Sequence, residues 1–299
     1  MGYRNIVIAS DASLSVKNDQ LVVLNMERNQ IPLEDINAIV LENQQSRVSL
    51  AALQQLVANN VTVYLCDAQH LPSAVILPFY QNSVNAVIIQ LQEQLSVPRE
   101  KQIWKQIVVE KILNQGRCLK ERGDAEGYQY LVELSKTVTS GDIHNVEATA
   151  ARYYFKRAFG EKFSRSGEDG RNSGLNYGYA IMRGLIARLL TGYGFLVIKG
   201  IHHGNKYNNF NLADDFMEPL RPVVDLFVLE NMKGDDTLTP ALKHSLVNLL
   251  GADVISGGQI HSVSYGAERM IQSFMRICQQ EDKNLMIPEL TQLRQHQYE

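Results

Sequence analysis

The chain reads as an α+β protein: a small β-rich N-terminal domain, residues 1–84, followed by a larger all-helical C-terminal domain, residues 85–299. Three observations predict this. Over about the first 77 residues, apolar side chains come in short β-branched runs separated by Asp, Asn and Lys turns. From about Asn85 onward they recur at helical spacing instead. A length of 299 residues also favours two domains over one.

Taken in order, residues 5–10, 20–24 and 36–41 are the first three expected strands. Residues 49–59 form a short amphipathic helix, with Ser49 as its cap and Leu50, Leu53, Leu56 and Val57 on one side. Strands at 61–66 and 73–77 close the domain near Pro78. Val87, Ile88, Leu91 and Leu95 open the helical part, and Pro98 starts a long helix whose stripe runs through Ile103, Trp104, Ile107, Val108, Lys111 and Ile112. Further helices are expected at 125–138, 142–159, 175–193, 212–232, 240–250 and 265–280. Residues 165–174 are polar and aperiodic, and read as a mobile, substrate-facing loop.

Cys66, Cys118 and Cys278 are few and far apart, so neither a disulfide framework nor a zinc ribbon is indicated. With no signal segment, no long apolar run and no myristoylation pattern after Met1, a cytoplasmic location without membrane contact is expected. The net charge of −3 is unevenly spread. Residues 141–212 carry 10 basic and 5 acidic side chains, an excess of 5, and a localised patch of this kind is what a phosphate backbone requires.

That basic segment leads into His202 and His203, set in a Gly/Asn-rich turn, and then into a helix that Asn211 can cap. Asp214, Asp215 and Glu218 lie in its first turns, so Glu218 can share a face with either aspartate. Like charges at that spacing cost roughly 0.2–0.5 kcal/mol, which a divalent cation would offset. Imidazole with two carboxylates suits Mn²⁺ or hydrated Mg²⁺, although an ordinary loop histidine and an acid favoured by the helix dipole remain the plain readings of His203 and Asp214 taken singly. A carboxylate and a phosphate about 4 Å apart repel by roughly 4 kcal/mol at an effective dielectric of 20, and a bridging divalent ion reverses that sign. Glu147 is a candidate third ligand: Ala148, Ala150 and Ala151 leave room for close approach, and Arg152, Lys156 and Arg157 can meet phosphates. Its plain alternative is a surface glutamate paired on its own helix.

Four segments then resemble one family: Asn145-Val-Glu-Ala-Thr-Ala-Ala-Arg-Tyr-Tyr-Phe155, Asn176-Tyr-Gly-Tyr-Ala-Ile-Met-Arg183, Gly200-Ile-His-His203 and Leu212-Ala-Asp-Asp-Phe-Met-Glu-Pro-Leu-Arg-Pro-Val-Val-Asp225. In this order, and with a β-then-α plan, they resemble the CRISPR-associated integrase, the catalytic subunit of the spacer-acquisition complex. The Gly-Ile-His-His form is most similar to members from systems with a single-protein, RNA-guided effector nuclease.

The resemblance implies that Glu147, His203 and Glu218 ligate Mg²⁺ or Mn²⁺, with Asp215 a supporting acidic catalytic group. His203 is preferred to His202 because it takes the second place of the pair. Asn176 and Tyr177 would line the DNA path, although an aromatic one turn into a helix is more often core, while Arg221 and Asp225 would make a phosphate contact or a structural ion pair. The implied activity is a metal-dependent DNA endonuclease and integrase that inserts short foreign duplexes into a CRISPR repeat array by 3′-hydroxyl transesterification, in immunity against phage and plasmids. Implied partners are double-stranded DNA, a second copy of the chain met through the N-terminal domain, a small second subunit, and the effector nuclease with other adaptation proteins. The absence of a Gly-x-x-x-x-Gly-Lys-Ser/Thr loop agrees with a reaction that exchanges bonds and needs no nucleotide. The alternatives are a metal-dependent phosphohydrolase of small nucleotides and a noncatalytic DNA-binding scaffold.

Overall fold

The structure is a computed structural model that describes residues 2–78 and 85–294. The expected domain boundary after residue 84 borders residues 79–84, which lie outside the described residues, as does Met1.

Among the described residues, the N-terminal part holds two four-stranded sheets, one α-helix and a 3₁₀ turn, Leu33–Asp35. Its elements are β1 (Arg4–Ile8), β2 (Ser13–Lys17), β3 (Gln20–Leu24), β4 (Arg28–Pro32), β5 (Ile36–Leu41), β6 (Arg47–Val48), α1 (Leu50–Ala58), β7 (Thr62–Cys66) and β8 (Pro72–Ile76). One sheet runs β1-β5-β7-β8, with β1, β5 and β7 parallel and β8 antiparallel to β7. The other is the meander β4-β3-β2, with β6 added parallel to β2. Ser49 caps α1 by accepting the Ala52 N–H at 3.2 Å, as its position suggested.

Alternation along β5 and β7 sends side chains to opposite faces of the first sheet. Ile39 and Val63 join Leu14, Leu21, Leu33 and Leu56 in a core between the two sheets and α1. Ala38, Val40 and Tyr64 face the other way and belong to the core of the helical part. Tyr64 donates to the Ile181 carbonyl at 2.6 Å. Its ring fits because residue 184 is glycine: a Cβ there would stand 2.1 Å from Tyr64 Cε1.

The C-terminal part contains α2 (Asn85–Glu93), α3 (Val97–Glu121), α4 (Ala125–Ser135), α5 (Val146–Phe159), α6 (Arg171–Gly192), α7 (Asn211–Met217), α8 (Arg221–Asn231), α9 (Pro240–Asn248), β9 (Asp253–Ser256), β10 (Gln259–Ser262), α10 (Val263–Cys278) and β11 (Glu289–Leu290). Long α3 packs against α4, α5 and α8 and forms the spine of this part.

Three expectations need correction. The C-terminal part is not all-helical, because β10-β9-β11 form a small antiparallel sheet. The adjacent Gly257 and Gly258, at φ 61° and 78°, make the two-residue hairpin turn between β9 and β10. The helix expected over 212–232 is broken into α7, a tight 3₁₀ turn Glu218–Leu220 and α8, since Pro219 and Pro222 cannot donate to a continuous ladder. Finally, the expected 165–174 loop ends early, because α6 begins at Arg171, and side chains link the two parts. Arg165 donates to Asn172 and Asn176 at 2.5 and 2.7 Å, and Asn172 donates to the carbonyls of Ser164 and Gly167.

Among the described residues, no helix is long and apolar enough to cross a membrane.

Candidate active site

Glu147 projects from the first turn of α5. That turn is doubly capped: Asp142 accepts the N–H groups of Val146 and Glu147 at 2.9 and 3.0 Å, and Asn145 accepts that of Ala148 at 3.4 Å. Asp142 and Asn145 hold left-handed backbone at φ 47° and 51°, a region that Asp and Asn tolerate better than most residues.

Glu218 sits at the junction between α7 and α8, placed there by the proline break, and is almost fully buried. Lys111 of α3 reaches both acids, its Nζ lying 2.5 Å from Glu147 Oε1 and 2.5 Å from Glu218 Oε2. The first contact is aligned as a hydrogen bond; the second is not, so Glu218 Oε2 is close to a cation yet has no aligned donor. Glu218 Oε1 accepts from Arg221 Nε at 2.9 Å. Burial alone would push the Glu218 carboxyl up, but Lys111 and Arg221 together hold it below the usual carboxylate range. For Lys111, burial pulls down and the two glutamates push up, with the charged ammonium favoured overall.

Asp215 points into the histidine turn. It is fully buried and accepts four hydrogen bonds: from the N–H groups of Ile201, His202 and His203 at 2.6, 3.1 and 3.2 Å, and from His203 Nδ1 at 2.6 Å. The turn is tight enough that a Cβ on Gly200 would stand 2.2 Å from the His203 carbonyl oxygen. With Nδ1 donating to Asp215, the second ring nitrogen of His203, Nε2, is the acceptor whenever the ring is neutral. The Asp215 hydrogen bond raises the His203 pKa, burial opposes it, and the charges of Asp215, Glu218 and Glu147 add to the rise. His202 is engaged otherwise, stacked on Trp104 of α3 with centroids 4.1 Å apart and planes 2° apart.

Three distant segments thus meet on one face of α3: the start of α5, the 200–203 turn, and the α7–α8 junction. Trp104 of that helix holds the turn, Lys111 reaches both α5 and the junction, and Asn114 secures the junction. Asn114 donates to the carbonyls of Pro219 and Pro288 at 2.8 and 3.0 Å, which fixes the chain beside Glu218. Sequence reasoning placed Trp104 and Lys111 in the apolar stripe without assigning them a role. The available signal was the ammonium itself, since a lysine on a buried face needs an anion.

The other candidates divide. Arg152 is exposed and has no ion pair among the described residues. Lys156 is exposed and pairs with Glu161 at 2.8 Å. Arg157 is held by Asp124 at 2.8 and 2.6 Å, and reaches Glu126 at 3.3 Å. Asn176 is exposed and accepts from Arg165. Tyr177 must be corrected: it is 1% exposed, with its ring in the helical core, so it presents no face to DNA. Asp215 is likewise spent on the histidine turn, which makes it a positioning group and not a free acid. Asp214 is held by Arg183 and Asn208, both at 2.6 Å. Arg221 contacts Glu218 and lies over the Tyr179 ring at 4.6 Å, and Asp225 accepts from the Tyr179 hydroxyl. Among the described residues, no three His, Cys, Asp or Glu side chains converge at metal-holding separations.

The family model for CRISPR associated protein Cas1 matches residues 6–237. The chain is 38% identical over 304 residues to the CRISPR-associated endonuclease Cas1 of Neisseria meningitidis serogroup C (strain 8013), with 100% of both chains covered. Among solved structures, a casposase bound to integration product aligns with a TM-score of 0.75 at 19% identity, over 95% of this chain and 92% of its own. A chain of a Cas6-RT-Cas1–Cas2 complex aligns with a TM-score of 0.69 at 20% identity, over 95% of this chain and 36% of its own. At those identities the two structures speak for the fold. The family model and the full-length relative go further, and on them the chain belongs to the CRISPR-associated Cas1 family.

Proposed function

We propose that this chain is a metal-dependent DNA endonuclease and integrase that joins short foreign duplexes to a CRISPR repeat. The observation that carries this reading is the convergence of Glu147 and Glu218 on one cation, Lys111 Nζ of α3, with the Asp215-held His203 against Trp104 of the same helix, in a chain of this family.

The donor set suits the metal. By type, two carboxylates and one imidazole nitrogen match Mn²⁺ or hydrated Mg²⁺, and the two acids already share a cation, with Lys111 Nζ 2.5 Å from each. Glu147, Glu218 and His203 Nε2 would hold the ion, which when bound polarises a phosphoryl oxygen and the attacking hydroxyl. Asp215 fixes the His203 tautomer and ring orientation, as a carboxylate behind a ligating histidine does. Arg221 keeps Glu218 ionised and aimed. The 3′-oxygen of the incoming strand bonds to a repeat phosphorus while the bond to the repeat's own 3′-oxygen breaks, and that oxygen leaves as a hydroxyl. One phosphodiester replaces another, so no nucleotide is consumed. The Glu147 and His203 side chains are 22% and 42% exposed, an open rim that favours a long substrate over a nucleotide in a closed pocket.

The full-length relative named as an endonuclease and the casposase bound to integration product support the same chemistry. The Cas1–Cas2 complex among the structural neighbours supports a small second subunit as partner. Homodimerisation through residues 1–84 and the phosphate contacts of Arg152, Lys156 and Arg157 belong to the same proposal.

The test is joining of a labelled duplex with free 3′-hydroxyls to a repeat-containing plasmid, with the second subunit present. Joining with Mg²⁺ or Mn²⁺ and none with EDTA is expected. A folded, DNA-bound protein that joins nothing with either metal would leave the scaffold reading.

A further inference from the structure

In the structure one resident cation serves both acids of the candidate site. Lys111 Nζ stands between Glu147 Oε1 and Glu218 Oε2, on a side chain that is 11% exposed. It makes an aligned hydrogen bond to Glu147, but its approach to Glu218 leaves Oε2 without one. The other positive group, Arg221, sits on the opposite oxygen of Glu218 and does not reach across to Glu147. The gap between the acids is therefore filled by a compact point charge on a flexible four-carbon stem. A divalent ion held by these two carboxylates would need the same space.

We propose that Lys111 is a placeholder cation, holding Glu147 and Glu218 together in the metal-free protein and giving way when a divalent ion enters. The inference rests on the metal reading above and deepens it. One ammonium between two carboxylates leaves the group at net charge −1, whereas a divalent ion brings it to zero. An ammonium and a metal ion repel at such separations, so both cannot occupy the gap. Metal binding is then an exchange of cations. The site stays folded without metal, and its affinity for metal is lower than the donor set alone would give. Lys111 acts here as a positioning residue for the ligands, through their charge and spacing.

Two experiments test this, neither of which reads activity. In the first, wild-type protein is reductively methylated with and without saturating Mn²⁺, and the Lys111 peptide is quantified by mass spectrometry against exposed Lys17. Lys111 is expected to be protected without metal and severalfold more reactive with it, while Lys17 is unchanged. Mn²⁺ occupancy is followed in parallel by electron paramagnetic resonance, with Glu218→Ala as the control that should lose it. Bound Mn²⁺ with Lys111 still protected would overturn the exchange and leave the metal reading standing; no bound Mn²⁺ in the wild type would overturn both. In the second, Lys111→Met should bind Mn²⁺ about tenfold more tightly than wild type, a change of about 1.4 kcal/mol. Equal or weaker binding by the folded variant would show that Lys111 assists the metal and does not compete with it.

Discussion

Asp215 Oδ1 lies 2.6 Å from His203 Nδ1, and the same carboxylate gathers the backbone N–H groups of Ile201, His202 and His203. One buried acid thus shapes the turn and selects the tautomer of its last residue. Asp215→Ala removes an acceptor from four donors at once and should cost about 2–5 kcal/mol of stability, on the scale for breaking a buried charged network. Asp215→Asn keeps the size and one acceptor oxygen. It should fold, yet lose Mn²⁺ affinity by about 10- to 100-fold, the usual effect of changing a group behind a ligand. Thermal unfolding and metal titration of the two variants check this, and an Asp215→Asn protein with wild-type metal affinity would separate Asp215 from the site.

Trp104 is the single tryptophan in the chain and faces both histidines, stacked on His202 and edge-on to His203 at 5.7 Å. Its fluorescence therefore reports on the turn. Titration with Mn²⁺ should quench it, and His203→Ala should abolish the response. Trp104→Ala should cost about 3–5 kcal/mol as a large buried truncation, and Trp104→Phe markedly less.

Asp225 gives a pH signature. Burial pushes its carboxyl up to about 6, while the Tyr179 and Tyr154 hydroxyls and Arg221 pull the other way. A raised folded-state value means that the neutral acid favours the fold. This contribution is fully present below the ordinary aspartate value of about 3.9 and is lost as pH rises to about 6. Between pH 4 and 7, wild type should lose on the order of 1–3 kcal/mol relative to Asp225→Asn. Denaturant unfolding of both proteins across that range measures the difference, and parallel curves would contradict the assignment.

The basic side chains of α5 should not be equivalent. Arg152 carries no ion pair among the described residues, whereas Arg157 is already committed to Asp124 and Glu126. Arg152→Ala should lower the salt dependence of duplex binding by about one unit of slope. Arg157→Ala should change it less and should loosen the α4–α5 contact. Binding isotherms at several salt concentrations distinguish the two.

What could be read from the residues was local. The strands Gln20–Leu24 and Ile36–Leu41, the Ser49 cap and the helix start at Pro98 follow from periodicity and turn chemistry, and the structure has them there. The polar strand Arg28–Pro32 escaped because an exposed strand carries no apolar alternation. The β9–β10 hairpin announced itself only through Gly257 and Gly258. Glu147, His203 and Glu218 stood out because their motifs are compact. Lys111 did not, since its partners come from other helices and only the folded chain brings them to it. Tyr177 is drawn to the DNA path only by the family resemblance, whereas an aromatic one turn into a helix is more often core, and there it lies.

The most direct measurement is joining and duplex affinity on the same preparations of wild type, Glu147→Ala, His203→Ala and Glu218→Ala, in Mn²⁺ with the second subunit present. Loss of joining in all three, with affinity within a few-fold of wild type because backbone charge dominates binding, is the predicted result. Wild-type joining by any one of them would remove that residue from the centre, and wild-type joining by all three would place the chemistry elsewhere in the molecule.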